Sequence, residues 1–156
     1  MKLKLPLLAG FLLCLCLNIN AQTTVSQQPL PLATYNENVN LPLTSSERQM
    51  LQEVYGDKLQ AYVLSKPDRL KAIKHLLRNR ISIVEMSTAR YQKETKLLSE
   101  VPLFDYYVSD LKRDRVFNKN TFNPLKYNFD FYKRGSAMYK VDNTNYYIVI
   151  KAQHRN

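Results

Sequence analysis

Both cysteines of this 156-residue chain, Cys14 and Cys16, lie inside one apolar run near its start, and that position limits how everything after it is held together. Lys2 and Lys4 precede the run, residues 5–17 form it, and Asn18-Ile19-Asn20-Ala21 follows. A basic stretch, an apolar stretch and a small residue at the cut make the layout of a secretory signal. The run is too short to cross a bilayer as a stable helix. Cleavage after Ala21, which makes residues 1–21 a signal peptide, removes both thiols. The mature protein is therefore expected to be exported, with no disulfide, no thiol nucleophile and no cysteine metal ligand. Its stability must come without cross-links.

What remains has the length of one domain. Residues 22–42 are rich in Gln, Thr, Pro and Asn, with prolines at 29, 31 and 42 and no sustained apolar period. They read as a flexible leader, either a tether or a segment that threads along a partner. Residues 43–152 read as a single α+β domain, and 153–156 as a tail. Thr44-Ser45-Ser46-Glu47 fits a capping box, and Met50, Leu51, Val54 and Tyr55 then mark one helix face. Gly56 suits the helix end and Asp57 the start of a second short helix with Leu59, Tyr62 and Val63 on its apolar side. Pro67 suits the first turn of a third helix, where its missing amide costs nothing. Leu70, Ile73, Leu76 and Leu77 form its apolar face, and Lys71, Lys74 and Arg78 fall toward the other side.

Beyond Arg80 the pattern changes. Ile81-Ser82-Ile83-Val84 is β-branched and short, a strand. A helix is expected over 88–98, and another short one over 106–113. Leu125, Tyr127, Phe129 and Phe131 alternate with Lys126, Asn128 and Asp130, which predicts a half-buried strand. Strands over 138–141 and 146–151, joined by Asp142-Asn143-Thr144-Asn145, complete the expectation. The last strand is apolar on both faces, so it should be central or covered. Short connections predict a C-terminal antiparallel β-meander after the N-terminal helices, an α+β class.

Candidate chemistry is sparse. A nucleophilic hydrolase needs Ser, Thr or Cys beside a base. His75 and His154 are the two histidines, and neither has a recognisable partner spacing. No acidic stretch has the pattern of a calcium loop, and the oxygen-bearing side chains of Asp142-Asn143-Thr144-Asn145 suit a turn for backbone reasons. Asp105, Asp110 and Asp114 are interspersed with Lys112, Arg113 and Arg115, the pattern of a solvated ion-pair surface. With 3 glycines in the whole chain, a phosphate-cradling loop has no material. The reading is a non-enzyme with no cofactor and no metal.

Charge and aromatics point to contacts instead. The chain has 23 basic residues against 13 acidic, and it stays strongly cationic after Lys2 and Lys4 leave. The stripe of Lys71, Lys74 and Arg78 is either a solvated helix face or a surface for an acidic partner. Nucleic acid is not an expected partner of an exported protein. Of 11 tyrosines and 6 phenylalanines, those on strands fit a core, and Tyr106, Tyr107 and Tyr146 are the ones expected to point outward toward an interface.

Three runs carry a resemblance: Leu98-Ser99-Glu100-Val101-Pro102-Leu103-Phe104, Phe122-Asn123-Pro124-Leu125-Lys126-Tyr127-Asn128-Phe129 and Tyr139-Lys140-Val141-Asp142-Asn143-Thr144-Asn145-Tyr146. They resemble a PorD-like family of small exported Bacteroidota proteins, periplasmic components associated with the type IX secretion apparatus, over residues 41–153. The cleavage region Asn20-Ala21-Gln22 also resembles signals common in Bacteroidota. Lipid-anchored bacterial proteins resemble one another in having a small residue before the modified cysteine, and Leu13 and Leu15 stand there instead. The resemblance implies a non-enzymatic accessory of an envelope protein-secretion complex in the periplasm, associated with the outer membrane or cell wall, whose partners are other proteins of that complex. It carries no family-defined binding residue. The rival expectation is a stand-alone module for an anionic envelope ligand, such as cell-wall polymer or lipid headgroup.

Overall fold

The computed structural model describes residues 36–86 and 95–153. The expected signal peptide, the first part of the expected leader, most of the helix expected over 88–98 and the end of the tail with His154 lie outside the described residues. The described end of that helix is corrected, because Lys96–Leu97 is a strand and Leu98–Glu100 a 3-10 turn. Helix α1 (Ser45–Tyr55) begins as its sequence requires: Thr44 Oγ1 accepts from Glu47 N, and Glu47 Oε2 accepts from Thr44 N. Gly56 ends it at φ 49°, and a Cβ there would stand 3.2 Å from Val108 Cγ2, so conformation and space both favour glycine. The chain continues through a 3-10 turn (Gly56–Lys58) and a wide π turn (Gln60–Leu64). Helix α2 (Pro67–His75) starts on Pro67 and runs into a second π turn (Leu76–Arg80).

Four strands form one mixed sheet: β1 (Ile81–Glu85), β2 (Lys96–Leu97), β3 (Ala137–Lys140) and β4 (Tyr146–Ile150), in the order β1-β4-β3-β2. β4 pairs antiparallel with β1 and with β3, so the strand that is apolar on both faces is interior. The β3–β4 hairpin turns through Asn143 at φ 55°, a conformation that Asn tolerates. The α+β class holds, but the purely antiparallel meander does not. β2 runs parallel to β3, because 98–136 lies between them and a parallel neighbour needs a long crossover.

Two further expectations are corrected. Residues 125–131 form no strand of the sheet. Pro124–Lys126 is a 3-10 turn, Phe129 N donates to Tyr127 O at 2.8 Å, and Phe131 N donates to Phe129 O at 2.7 Å, tight turns that leave only a bridge from Tyr127 to Leu103. The alternation was real, since Leu125, Tyr127 and Phe129 are buried, but it serves packing rather than a ladder. Residues 106–113 form no helix either. Asp105, Ser109 and Asp110 are residues that compete with helical bonding, and the segment is anchored by Arg113, whose guanidinium donates to Leu98 O at 3.0 Å and to Val101 O.

Two apolar clusters make the core. One joins the sheet residues Tyr139, Ile148 and Ile150 to Phe122, Tyr127 and Phe129. The other joins Leu51, Val54, Val63, Ile73 and Leu76 of the helical half to Leu125. Ile81 and Phe131 pack against both.

Lys126 ties these halves together. Its ammonium is buried, 2.7 Å from Asp114 and 2.9 Å from Glu53 of α1. Burial alone would lower its pKa, but the bonds to Asp114 and Glu53 outweigh that and raise it. Asn123 Nδ2 donates to Met50 O and Glu53 Oε2, both at 2.9 Å. Lys126→Ala removes the cation and leaves two half-exposed carboxylates facing an apolar wall. It should lower the unfolding free energy by about 2 kcal/mol, below the cost of a fully buried pair because water reaches both acids. Urea denaturation checks this, and Lys126→Arg should recover part of the loss.

Candidate functional site

Two cations of the basic stripe, Lys74 of α2 and Arg78 of the π turn after it, face the protein's own N-terminal segment. Residues 36–42, assigned to the leader from composition, are docked on them, with a 3-10 turn (Glu37–Asn40) and Val39 buried. Lys74 Nζ donates to Leu41 O at 2.8 Å, and Lys74 is buried. Arg78 grips both Glu47 carboxylate oxygens at 2.6 Å and donates to Asn38 O and to Pro42 O. Arg80 donates to Lys151 O at 3.0 Å and Phe131 O at 2.6 Å. Of the expected stripe, Lys71 alone is exposed. Periodicity placed Lys74 and Arg78 opposite the apolar face correctly, but it had no knowledge of the segment that covers them.

The tyrosines divide as well. Tyr106 is 80% exposed. Tyr107 is half-buried, its ring 4.9 Å from Tyr55, 5.1 Å from Tyr62 and 5.8 Å from Phe104. Tyr146 is half-buried on β4, with Phe117 at 5.6 Å and the Lys119 ammonium 5.9 Å from its ring centre. The structure therefore unites Tyr106 and Tyr107, whose rings stand 4.9 Å apart edge to face, and leaves Tyr146 apart from them.

Next to Tyr107, beyond Tyr55 and Phe104, lies the feature that sequence reasoning missed. A cleft of about 210 Å³ is lined by Tyr55, Arg69, Phe104, Phe129, Phe131 and Tyr132. Arg69 stands at its rim, with Nη2 3.5 Å from the Tyr55 hydroxyl and its guanidinium carbon 5.6 Å from that ring's centre. Burial pushes the Arg69 pKa down, and bonding to the Tyr107 and Tyr55 hydroxyls pushes it up by more. Burial raises the Tyr55 phenol, so it stays protonated at neutral pH. None of the ion pairs among the described residues includes Arg69. Beside the cleft, Tyr132 is 87% and Tyr62 is 44% exposed. Arg69 belongs to α2 and Tyr132 follows the alternating run by one position. Nothing local in the sequence signals that they converge.

The arrangement suits recognition more than reaction. The cleft is smaller than the roughly 300 Å³ at which drug-sized ligand pockets begin, room for a side chain or two. Tyr and Arg are the residue types that most often anchor protein interfaces. Among the described residues no group of three His, Cys, Asp or Glu is placed to hold a metal ion, and no helix is long and apolar enough to cross a membrane. His75 has its Nδ1 3.0 Å from Asn79 Nδ2, and burial together with the Arg80 charge lowers its pKa. In the Asp142–Asn145 turn, the carboxylate accepts from Ser99 N and Ser99 Oγ and Thr144 Oγ1 donates to Val141 O, so these oxygens serve the fold. Arg113 and Asp114, read as part of a solvated ion-pair surface, likewise hold main-chain carbonyls and Lys126. Comparison with protein families, with curated proteins and with solved structures returns no match.

The Glu47–Arg78 pair generates a pH prediction. Bonding to Arg78 holds the Glu47 carboxyl below its ordinary value of 4.5, against an opposing effect of burial. A folded-state pKa below the unfolded one favours folding above the unfolded value, and the advantage disappears as pH falls through the folded value. Glu47→Gln should therefore cost about 1–2 kcal/mol at neutral pH. Its deficit should shrink as pH drops below the ordinary glutamate range. Thermal unfolding of both proteins between pH 7 and pH 3 measures this, and a deficit constant with pH would count against the pair.

Proposed function

We propose that this protein is a non-enzymatic, exported accessory of an envelope protein-secretion complex, acting by protein–protein contact in the periplasm. The observation that supports a contact role is a small aromatic cleft lined by Arg69 and exposed Tyr132, next to exposed Tyr62 and Tyr106, whose rings reach its wall at Tyr55 through Tyr107. Rigid aromatic side chains bring large contact area at low entropic cost, and a guanidinium adds direction. The occupant with that chemistry is a protruding apolar or aromatic side chain of a partner protein, flanked by a carboxylate for Arg69. The secretion-complex assignment rests on the signal-like N-terminus and the PorD-like resemblance. Both this reading and the rival anionic-ligand reading were expected to use the basic stripe, whose Lys74 and Arg78 are occupied within the molecule, so the contact is assigned to the aromatic cleft instead.

Affinity recovery from native membranes tests the proposal, with a C-terminal tag and mass spectrometry. The wild-type protein should bring down outer-membrane translocon subunits stoichiometrically. The double variant Tyr106→Ala/Tyr132→Ala should lose at least about tenfold of that recovery, as a truncated interface anchor does. Its thermal midpoint should not change, since both rings are exposed. Arg69→Ala should behave similarly. A solitary wild-type protein in the soluble fraction overturns the secretion-complex reading; full recovery with the double variant overturns the cleft as its contact.

A further inference from the structure

β1 ends the sheet on one side, and hydrogen-bond parity shows which of its backbone groups face outward. Lys151 N donates to Arg80 O and Met86 N donates to Asn145 O, both at 2.9 Å. Both pairs obey the register that sets Ile83 opposite Ile148. Bonded and non-bonded pairs alternate along an antiparallel ladder. Ser82 and Val84 therefore bond β4, and Ile81, Ile83 and Glu85 turn their backbone groups the other way. Ile81 N reaches back to Leu76 O. The amides and carbonyls of Ile83 and Glu85 face the open side, where the sheet has no further strand among the described residues.

Natural edge strands are usually blunted by proline, lysine, a bulge or a cover. Ile81-Ser82-Ile83-Val84 contains neither proline nor lysine. An open groove of about 410 Å³ is lined by Ile81 and Ile83 of this strand together with Met50, Leu77, Phe122 and Lys119. Glu47 also lines the groove, but Arg78 and the Thr44 amide hold both of its oxygens. Lys119 takes part in none of the ion pairs among the described residues.

We propose that the open edge of β1 receives one extended strand of a partner protein, apolar at alternate positions and carrying an acidic residue beside Lys119. The unpaired backbone groups of Ile83 and Glu85 supply the ladder. The apolar groove takes alternate side chains, and Lys119 sets the register by charge. A second copy of β1 fits less well. Paired antiparallel about Ile83, it would set its Glu85 opposite Ile81, at the far end from Tyr146, where the Lys119 ammonium sits. This surface is separate from the aromatic cleft, and the inference stands whether or not that reading holds.

Residue-resolved amide exchange on the purified protein tests it. In the free protein, Ile83 and Glu85 should exchange at least about 100-fold faster than Ser82 and Val84, because only the latter are bonded to β4. Saturation with an acetylated, amidated peptide Thr-Val-Glu-Val-Thr-Val-Thr should slow Ile83 and Glu85 by at least about tenfold and leave Ser82 and Val84 unchanged. Lys119→Glu should abolish that slowing, and a peptide with lysine in place of glutamate should restore it. Three results overturn the proposal. Protection of Ile83 and Glu85 that rises with protein concentration assigns the edge to a second copy. Concentration-independent protection without peptide assigns it to the chain itself. No response to the peptide removes strand addition altogether.

Discussion

Long cationic side chains, more than regular secondary structure, hold this fold's irregular chain in place. A buried carbonyl without a partner costs free energy comparable to a lost hydrogen bond, and 98–136 offers few ladder partners. Arg113 reaches Leu98 O and Val101 O, Arg80 reaches Phe131 O and Lys151 O, and Lys74 reaches Leu41 O. Each bond has a charged donor, roughly twice as strong as a neutral one. The described residues contain no cysteine, so these clamps are the bonds that tie distant segments together there. Among the described residues Lys74, Arg80 and Lys126 are the cations that this use buries.

The same economy shapes the contact surfaces. With Lys74 and Arg78 engaged within the molecule, the two contact surfaces are built on aromatic rings and on backbone, each with one cation beside it, Arg69 and Lys119. The tyrosines around Arg69 crown the helical half, and the open edge of β1 borders the groove between helix and sheet. Both features sit on rigid neighbours. Tyr55 belongs to α1, whose start is capped, and β1 is held along its length by the interior strand β4. Recognition surfaces built on such elements keep their geometry before a partner arrives.

Local signals in the sequence were read reliably. The Thr44/Glu47 box, Gly56 at the end of α1, Pro67 at the start of α2 and the turn before β4 each depend on residues a few positions apart. Each appears in the structure as expected. Apolar alternation over 125–131 correctly identified buried residues and wrongly implied a strand. Burial asks only that a side chain point inward, whereas a strand also needs a neighbour with free amides. The helix expected over 106–113 failed for a related reason: Arg113 is held by the distant carbonyls of Leu98 and Val101, and Ser109 and Asp110 compete with local helical bonding.

The sequence by itself determined the chain's α+β class, both ends of α1, the start of α2, the terminal hairpin and the interior position of β4, all of which follow from short-range backbone preference and apolar periodicity. Only the tertiary structure decided what the charges and tyrosines do. Arg78 finds Glu47 31 residues away and Lys74 finds Leu41 33 residues away. Lys126 finds Glu53 across the two halves of the molecule, and Arg69 meets Tyr132 at one cleft. A helical wheel shows which way a side chain leaves its helix. What it meets there depends on how distant segments close around the core, and that is set by packing, not by sequence period.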